Sequence, residues 1–219
     1  MEELADGVFL LDGRPRHAIN VYLVGEVLID AGTDRAAKRI LSELRGRTVT
    51  AHALTHAHGD HFGSSHEVCE ALGVPLWCGE ADAEVVETGK IITATSALEP
   101  LLKRLPAPAP HPVARRLVEG DEVGGFEVIA TPGHSEGHVS YWRESDRTLV
   151  LGDVLFGTKL LPPRPGLREP PNPFTPDPAR NRDSARRVAA LDPALVCFGH
   201  GPPLRDTRRF KEFVAGLPA

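Results

Sequence analysis

Cysteine is scarce in this chain. Cys69, Cys78 and Cys197 are the only three in 219 residues, and an odd, widely spaced set argues against both a disulfide framework and a cysteine-type zinc knot. They are expected as small buried apolar residues. Long apolar runs are missing as well: no stretch of 18 occurs, and the opening Met-Glu-Glu-Leu-Ala-Asp-Gly-Val-Phe lacks a basic region followed by an apolar one. A membrane span and an export signal are therefore not expected, and a cytoplasmic location is. Nor is there an excess of positive charge. The formal charge is −5, which disfavours nucleic acid as a partner and leaves a small-molecule substrate. With no clean linker and no short solenoid repeat, residues 1–219 read as a single domain. Hydrophobic residues at 41% and charged residues at 25% fit a folded globular chain. The sequence sets no oligomeric state.

Short β-rich runs at Val8 to Leu11, Ala18 to Val24 and Val27 to Asp30, separated by glycine-containing turns, predict an antiparallel meander. A helix with Thr33 as N-cap follows, its apolar stripe running from Ala36 to Leu44. Further strands are expected at Thr48 to Leu54, Val74 to Cys78, Arg115 to Val118, Phe126 to Ala130, His138 to Arg143, Thr148 to Leu151 and Ala194 to Phe198. Helices are expected at Phe62 to Leu72, closed by Gly73, at Ala81 to Glu87, from Asp177 to about Leu191, and at Arg205 to Ala215. Two segments break the alternation. Residues 90–112 hold a candidate helix, Ser96 to Arg104, running into a proline-rich stretch, and residues 157–178 hold eight prolines; both read as long insert loops that wall the cleft and set specificity. Strand sets accompanied by helices imply an α/β layered sandwich.

The chemistry concentrates in Thr55-His-Ala-His-Gly-Asp-His-Phe-Gly63. Imidazole and carboxylate suit zinc and related divalent ions, and no thiolate is present to suggest a closed structural site. His56 and His58 are two residues apart, which in extended backbone points both to one side. Gly59 then permits a turn that brings Asp60 and His61 round. Four donors this close do not share one small cation and still leave it an open position, so the loop hints at two metals. Three more donors each follow an apolar run and stand next to or near glycine: His134 in Thr131-Pro-Gly-His, Asp153 in Leu151-Gly-Asp, and His200 in Phe198-Gly-His.

In these motifs the sequence resembles the metallo-β-lactamase fold hydrolases, over residues 8 to about 203. The resemblance implies an αββα sandwich, two mixed β-sheets face to face with helices outside. It implies that His56, His58 and His134 hold one divalent ion, that Asp60, His61 and His200 hold a second, and that Asp153 bridges them. Zinc is the expected metal, with iron or manganese as alternatives. Two carboxylates and a hydroxide leave such a pair a charge of about +1, and bound water ionises near neutral pH. The implied reaction is attack of metal-bound hydroxide on a small ester-like carbonyl, with Asp60 and Asp153 as the catalytic carboxylates.

Leu151-Gly-Asp-Val-Leu-Phe156 and Thr131-Pro-Gly-His-Ser-Glu-Gly-His138 look most like the glyoxalase II branch, which makes a thioester the expected substrate. Members that hydrolyse the glutathione thioester carry a helical C-terminal domain, whereas 19 residues follow His200 here, so glutathione itself is not expected. Lactonases of the fold typically carry a tyrosine three residues after the bridging aspartate, where this chain has Phe156. Lactone hydrolysis, persulfide dioxygenation on one iron held by His58, His134 and Asp153, and a non-catalytic binding module are the alternatives. His138 is expected to make a hydrogen bond behind the ligands. His66 is expected to be solvated, and His17, His52 and His111 show no partner in the sequence.

Overall fold

Val27, Leu28 and Ile29 are all buried, and because successive strand side chains point to opposite faces, the strand they form must be covered on both. The same holds for Tyr22 to Val24 and Leu195 to Phe198. Such strands can stand only inside a layered molecule, and a computed structural model, describing residues 1–13, 15–90, 107–160 and 163–218, shows the layers. The first sheet runs β1 (Glu2–Ala5), β2 (Val8–Leu10), β3 (Tyr22–Val24), β4 (Val27–Ile29), β5 (Ala51–Ala53), β6 (Leu76–Gly79) and β7 (Val113–Leu117) in spatial as in chain order. Its first four strands are antiparallel and β4 to β7 are parallel. Then come β8 (Glu122–Val123), β9 (Phe126–Ala130), β10 (Val139–Arg143), β11 (Thr148–Gly152), a separate hairpin of β12 (Phe156–Leu160) and β13 (Pro163–Arg168), and β14 (Leu195–Phe198). The second sheet has the order β14-β11-β10-β9-β8, with β14 parallel to β11.

The sheets pack face to face through Val8, Tyr22, Val24 and Ile29 from one and Phe126, Val128, Tyr141, Val150 and Cys197 from the other. On the outer face of the first sheet, Leu23 and Leu28 meet Ala37 and Ile40 of α1 (Ala37–Glu43) and Val68 of α2 (Ser65–Leu72). Leu76 and Cys78 meet Cys69 of α2 and Val86 of α3 (Ala83–Thr88). On the outer face of the second sheet, Leu149, Leu151 and Val196 meet Val188 of α4 (Pro178–Ala189) and Phe210 of α5 (Thr207–Ala215). This is the expected αββα arrangement. The chain's two tyrosines also tie the layers. Tyr22 on β3 donates to the Phe198 carbonyl at 2.7 Å, and Tyr141 on β10 donates to the Leu54 carbonyl at 2.6 Å. Both carbonyls lie at strand ends, and both mark the edge where the ligand motifs emerge.

Two sequence expectations need correction. Thr33 does not cap α1; the Ser64 hydroxyl accepts from the Ala36 and Ala37 N–H groups at 3.1 and 2.9 Å, a cap supplied from the loop before α2. Residues 157–178 are not one long loop. They hold the β12–β13 hairpin, with Thr158 opposite Pro165, because a two-stranded ribbon leaves each strand an open edge where proline's missing N–H costs nothing. Asp177 caps α4 as the sequence suggests, accepting from the Arg180 N–H at 2.9 Å. The candidate helix Ser96 to Arg104 lies outside the described residues, as does most of the 90–112 segment; residues 107–112 carry no regular structure. All three cysteines are free and buried, and burial pushes the three thiols up to about 12. Among the described residues no helix is long and apolar enough to cross a membrane.

Candidate metal centre

Each of the seven expected donors follows the C-terminal end of a strand. His56, His58, Asp60 and His61 follow β5, His134 lies in the β9–β10 turn, Asp153 follows β11, and His200 follows β14. All seven come together. His56, His58 and His134 present donor atoms within 4.8 Å of one another, as do His56, His61 and Asp153, and Asp60, His61 and His200. Asp153 is at the middle. Its Oδ2 lies 3.8, 3.3, 3.5 and 3.2 Å from Nε2 of His56, His61, His134 and His200.

The hydrogen bonds behind these imidazoles fix which nitrogen faces the centre. Asp30 is an acceptor only, taking the Thr55 N–H and hydroxyl at 2.8 Å each. Having given its proton to Asp30, the Thr55 hydroxyl accepts from His56 Nδ1 at 3.0 Å. His61 Nδ1 donates to Asp30 Oδ2 at 2.8 Å. The Thr175 hydroxyl donates to the Pro171 carbonyl and so accepts from His134 Nδ1, both at 3.1 Å. His200 Nδ1 donates to the Ala18 carbonyl. Four imidazoles thus engage Nδ1 behind the centre and turn Nε2 toward Asp153, the orientation of a metal-ligating histidine with its outer N–H held. His58 turns Nδ1 to His134 Nε2 at 2.9 Å.

The charges ask for cations. Burial alone would raise the Asp153 carboxyl, but His200 and His61 hold it well below the usual range. Asp60 is held down in the same way by His61 and His200. Burial works against protonation of His61 and His200, yet the surrounding carboxylates, Asp153 foremost, lift His61 well above its ordinary value and His200 to about 10. His56 and His58, pushed down by burial and neighbouring imidazoles, stay neutral. Among the described residues, buried His56 Nε2, His58 Nε2 and Asp153 Oδ1 have no hydrogen-bond partner. Imidazole nitrogens converging on ionised carboxylates, with unpartnered buried atoms of His56, His58 and Asp153 among them, fit divalent ions.

Several supporting residues escaped the sequence reading. Asp30 ends β4 as Asp153 ends β11, a carboxylate directly after an apolar run; that shared pattern was the available signal. Asp82 is buried and accepts from Ala57 N–H, the Ser135 hydroxyl and Gly137 N–H at 2.9, 2.7 and 2.8 Å, clasping the β5 loop to the β9–β10 turn. Nothing local in the sequence marks it. His138 makes its expected hydrogen bond. Its Nε2 accepts the Asp153 N–H at 3.0 Å while Nδ1 donates to Thr131 at 2.8 Å. Gly199 is required by close approach, since a Cβ there would stand 2.0 Å from Asp153 Oδ1. His52 is structural, bonding the Leu28 carbonyl and the Ser65 hydroxyl at 3.1 and 2.8 Å. Beside the centre, Phe156 lies against the His200 ring, centroids 4.4 Å apart. A cavity of about 440 Å³ opens there, lined by both residues and by His17, Lys159 and Arg164.

Comparison with known proteins returns the same core. The profile of the Metallo-beta-lactamase superfamily matches residues 14–200, a span that contains all seven donors. The probable metallo-hydrolase YflN of Bacillus subtilis is 31% identical over 201 residues, 81% of this chain and 76% of its own. A hydroxyacylglutathione hydrolase of Rhodospirillum rubrum is 34% identical over 119 residues, which cover 52% of this chain and 37% of that one. Among solved structures, TTHA1623 in a di-iron-bound form superposes with a TM-score of 0.70 at 31% identity, covering 94% of this chain and 100% of that one.

Proposed function

The chain belongs to the metallo-beta-lactamase superfamily and is a metallo-hydrolase; from that premise we propose a dinuclear enzyme that cleaves a small ester-like carbonyl compound, a thioester first. In this reading His56, His58 and His134 hold one ion, Asp60, His61 and His200 the other, and Asp153 lies between them. The observation that carries it is the set of four Nε2 atoms, of His56, His61, His134 and His200, gathered around Asp153 Oδ2. A bound divalent ion supplies Lewis acidity and ionises water near neutral pH. The chain's residues do the rest. Asp30, Thr55, Thr175 and the Ala18 carbonyl hold the imidazole protons outward. Asp153, with its side chain 3% exposed, keeps its charge in the interior, and Asp60, 41% exposed and held ionised by its histidines, keeps its charge at the mouth. Phe156 covers one side of the centre and excludes water there.

Likeness to the hydroxyacylglutathione hydrolase supports the thioester, and the di-iron form of TTHA1623 supports two ions with iron as an alternative to zinc. Lys159 and Arg164 place positive charge over the cavity, which favours a substrate with an anionic group. The test is metal analysis of natively purified protein together with a thioester, ester and lactone panel. Two ions per chain and thioester turnover, reduced at least about 10²-fold in Asp153→Ala, are expected. A lactone preferred over every thioester would move the substrate class. One iron with oxygen consumption, or no turnover with both ions bound, would overturn the proposal.

A further inference from the structure

A second group of donors stands apart from the seven. His66 and Glu70 are one turn apart on the exposed face of α2, the spacing at which two helix residues reach the same point. His111, in the segment leading into β7, brings its Nδ1 to 3.1 Å from His66 Nδ1. The imidazoles meet edge to face at 5.3 Å and 67°. A donor atom from each of the three residues lies within 4.8 Å of the others. The sequence reading left His66 to solvent and His111 without a partner; the fold pairs them.

The spacing is informative. Two nitrogens bound to one tetrahedral zinc, at about 2.0–2.1 Å each, stand roughly 3.3 Å apart, within a few tenths of an ångström of the separation here. His111 is also held in advance. Pro110 and Pro112 flank it, and its N–H donates to the Val86 carbonyl of α3 at 3.1 Å, so little freedom remains to be lost on binding. We propose that His66, Glu70 and His111 form an additional divalent-metal site of zinc type, with its remaining coordination open to water. The site does not depend on how many ions the seven-donor centre takes.

Such an ion would pin the proline-rich stem to α2. The stem also touches the ligand loop: a Cβ on Gly59, between His58 and Asp60, would stand 3.3 Å from Pro108 Cγ. The additional site therefore staples the support on which that loop rests. Built of imidazole and carboxylate without thiolate, and exposed on two of three ligands, it would fill and empty with the available metal.

Zinc chloride titrated calorimetrically into the protein as isolated tests this, with His66→Ala/His111→Ala and Glu70→Gln alongside and metal analysis after gel filtration. The wild type is expected to take up one zinc per chain more than the double variant, and excess zinc should raise the melting temperature of the wild type by more than that of the double variant. Glu70→Gln is expected to weaken that extra binding about tenfold, and it decides the matter should the double variant fold poorly. Equal zinc uptake by wild type and double variant, or an unchanged isotherm in Glu70→Gln, would overturn the site.

Discussion

Asp30 sits at φ 62°, in the left-handed region that aspartate and asparagine enter more readily than most residues. The twist at the end of β4 turns both carboxylate oxygens onto Thr55 and His61, and through Thr55 onto His56. One side chain thus sets the proton positions of two donors assigned to different ions. Asparagine accepts the same backbone but replaces one oxygen with an amide that cannot receive an N–H. Asp30→Asn is therefore expected to keep the far-ultraviolet circular dichroism of the wild type while weakening metal binding about 10- to 100-fold. Undiminished affinity in a competition with a chelator would show that Asp30 does not orient the ligands.

The β12–β13 hairpin shows how an element can be hidden by its composition. Prolines at 163 and 165 suppress a strand reading because strands elsewhere need every N–H, yet here each strand has a partner on one side only. The hairpin begins at Phe156, three residues beyond Asp153, and carries Lys159 and Arg164 over the cavity beside His200. The element that looked like a passive loop is a ribbon with fixed register, able to hold charge at a set place. Lys159→Ala/Arg164→Ala is expected to raise KM roughly tenfold for an anionic substrate and to leave that of a neutral ester nearly unchanged, with metal content preserved. A KM that moves equally for both would assign the two cations to the hairpin's own stability instead of to recognition.

At the scale of the whole molecule, the ligand motifs were legible because each follows an apolar strand, and a strand buried on both faces announces itself by composition. The layering was legible from the resemblance those motifs carry. The joining of the layers was not: that Tyr22 and Tyr141 cross between sheets, that Ser64 caps a helix 27 residues earlier, and that Asp82 clasps two ligand loops all depend on distances created only by folding. The same geometry has a thermodynamic consequence. His56, His58, Asp60 and His61 come from the first sheet, while His134, Asp153 and His200 come from the second, so ions in the proposed centre would fasten one sheet to the other. The unfolded chain has no such site, and ligand present at 100 to 1,000 times its dissociation constant stabilises the folded state by about 3 to 4 kcal/mol. In a domain of this size that corresponds to roughly 10 °C in melting temperature. Proton uptake by His61 and His200, whose affinity for protons the carboxylates raise, offsets part of that loss at neutral pH. Scanning calorimetry with and without chelator is expected to show a drop of that order, reversed when metal is restored. A melting temperature indifferent to chelator, with metal loss confirmed by analysis, would mean that the core and the tyrosine ties hold the sheets together without the ions.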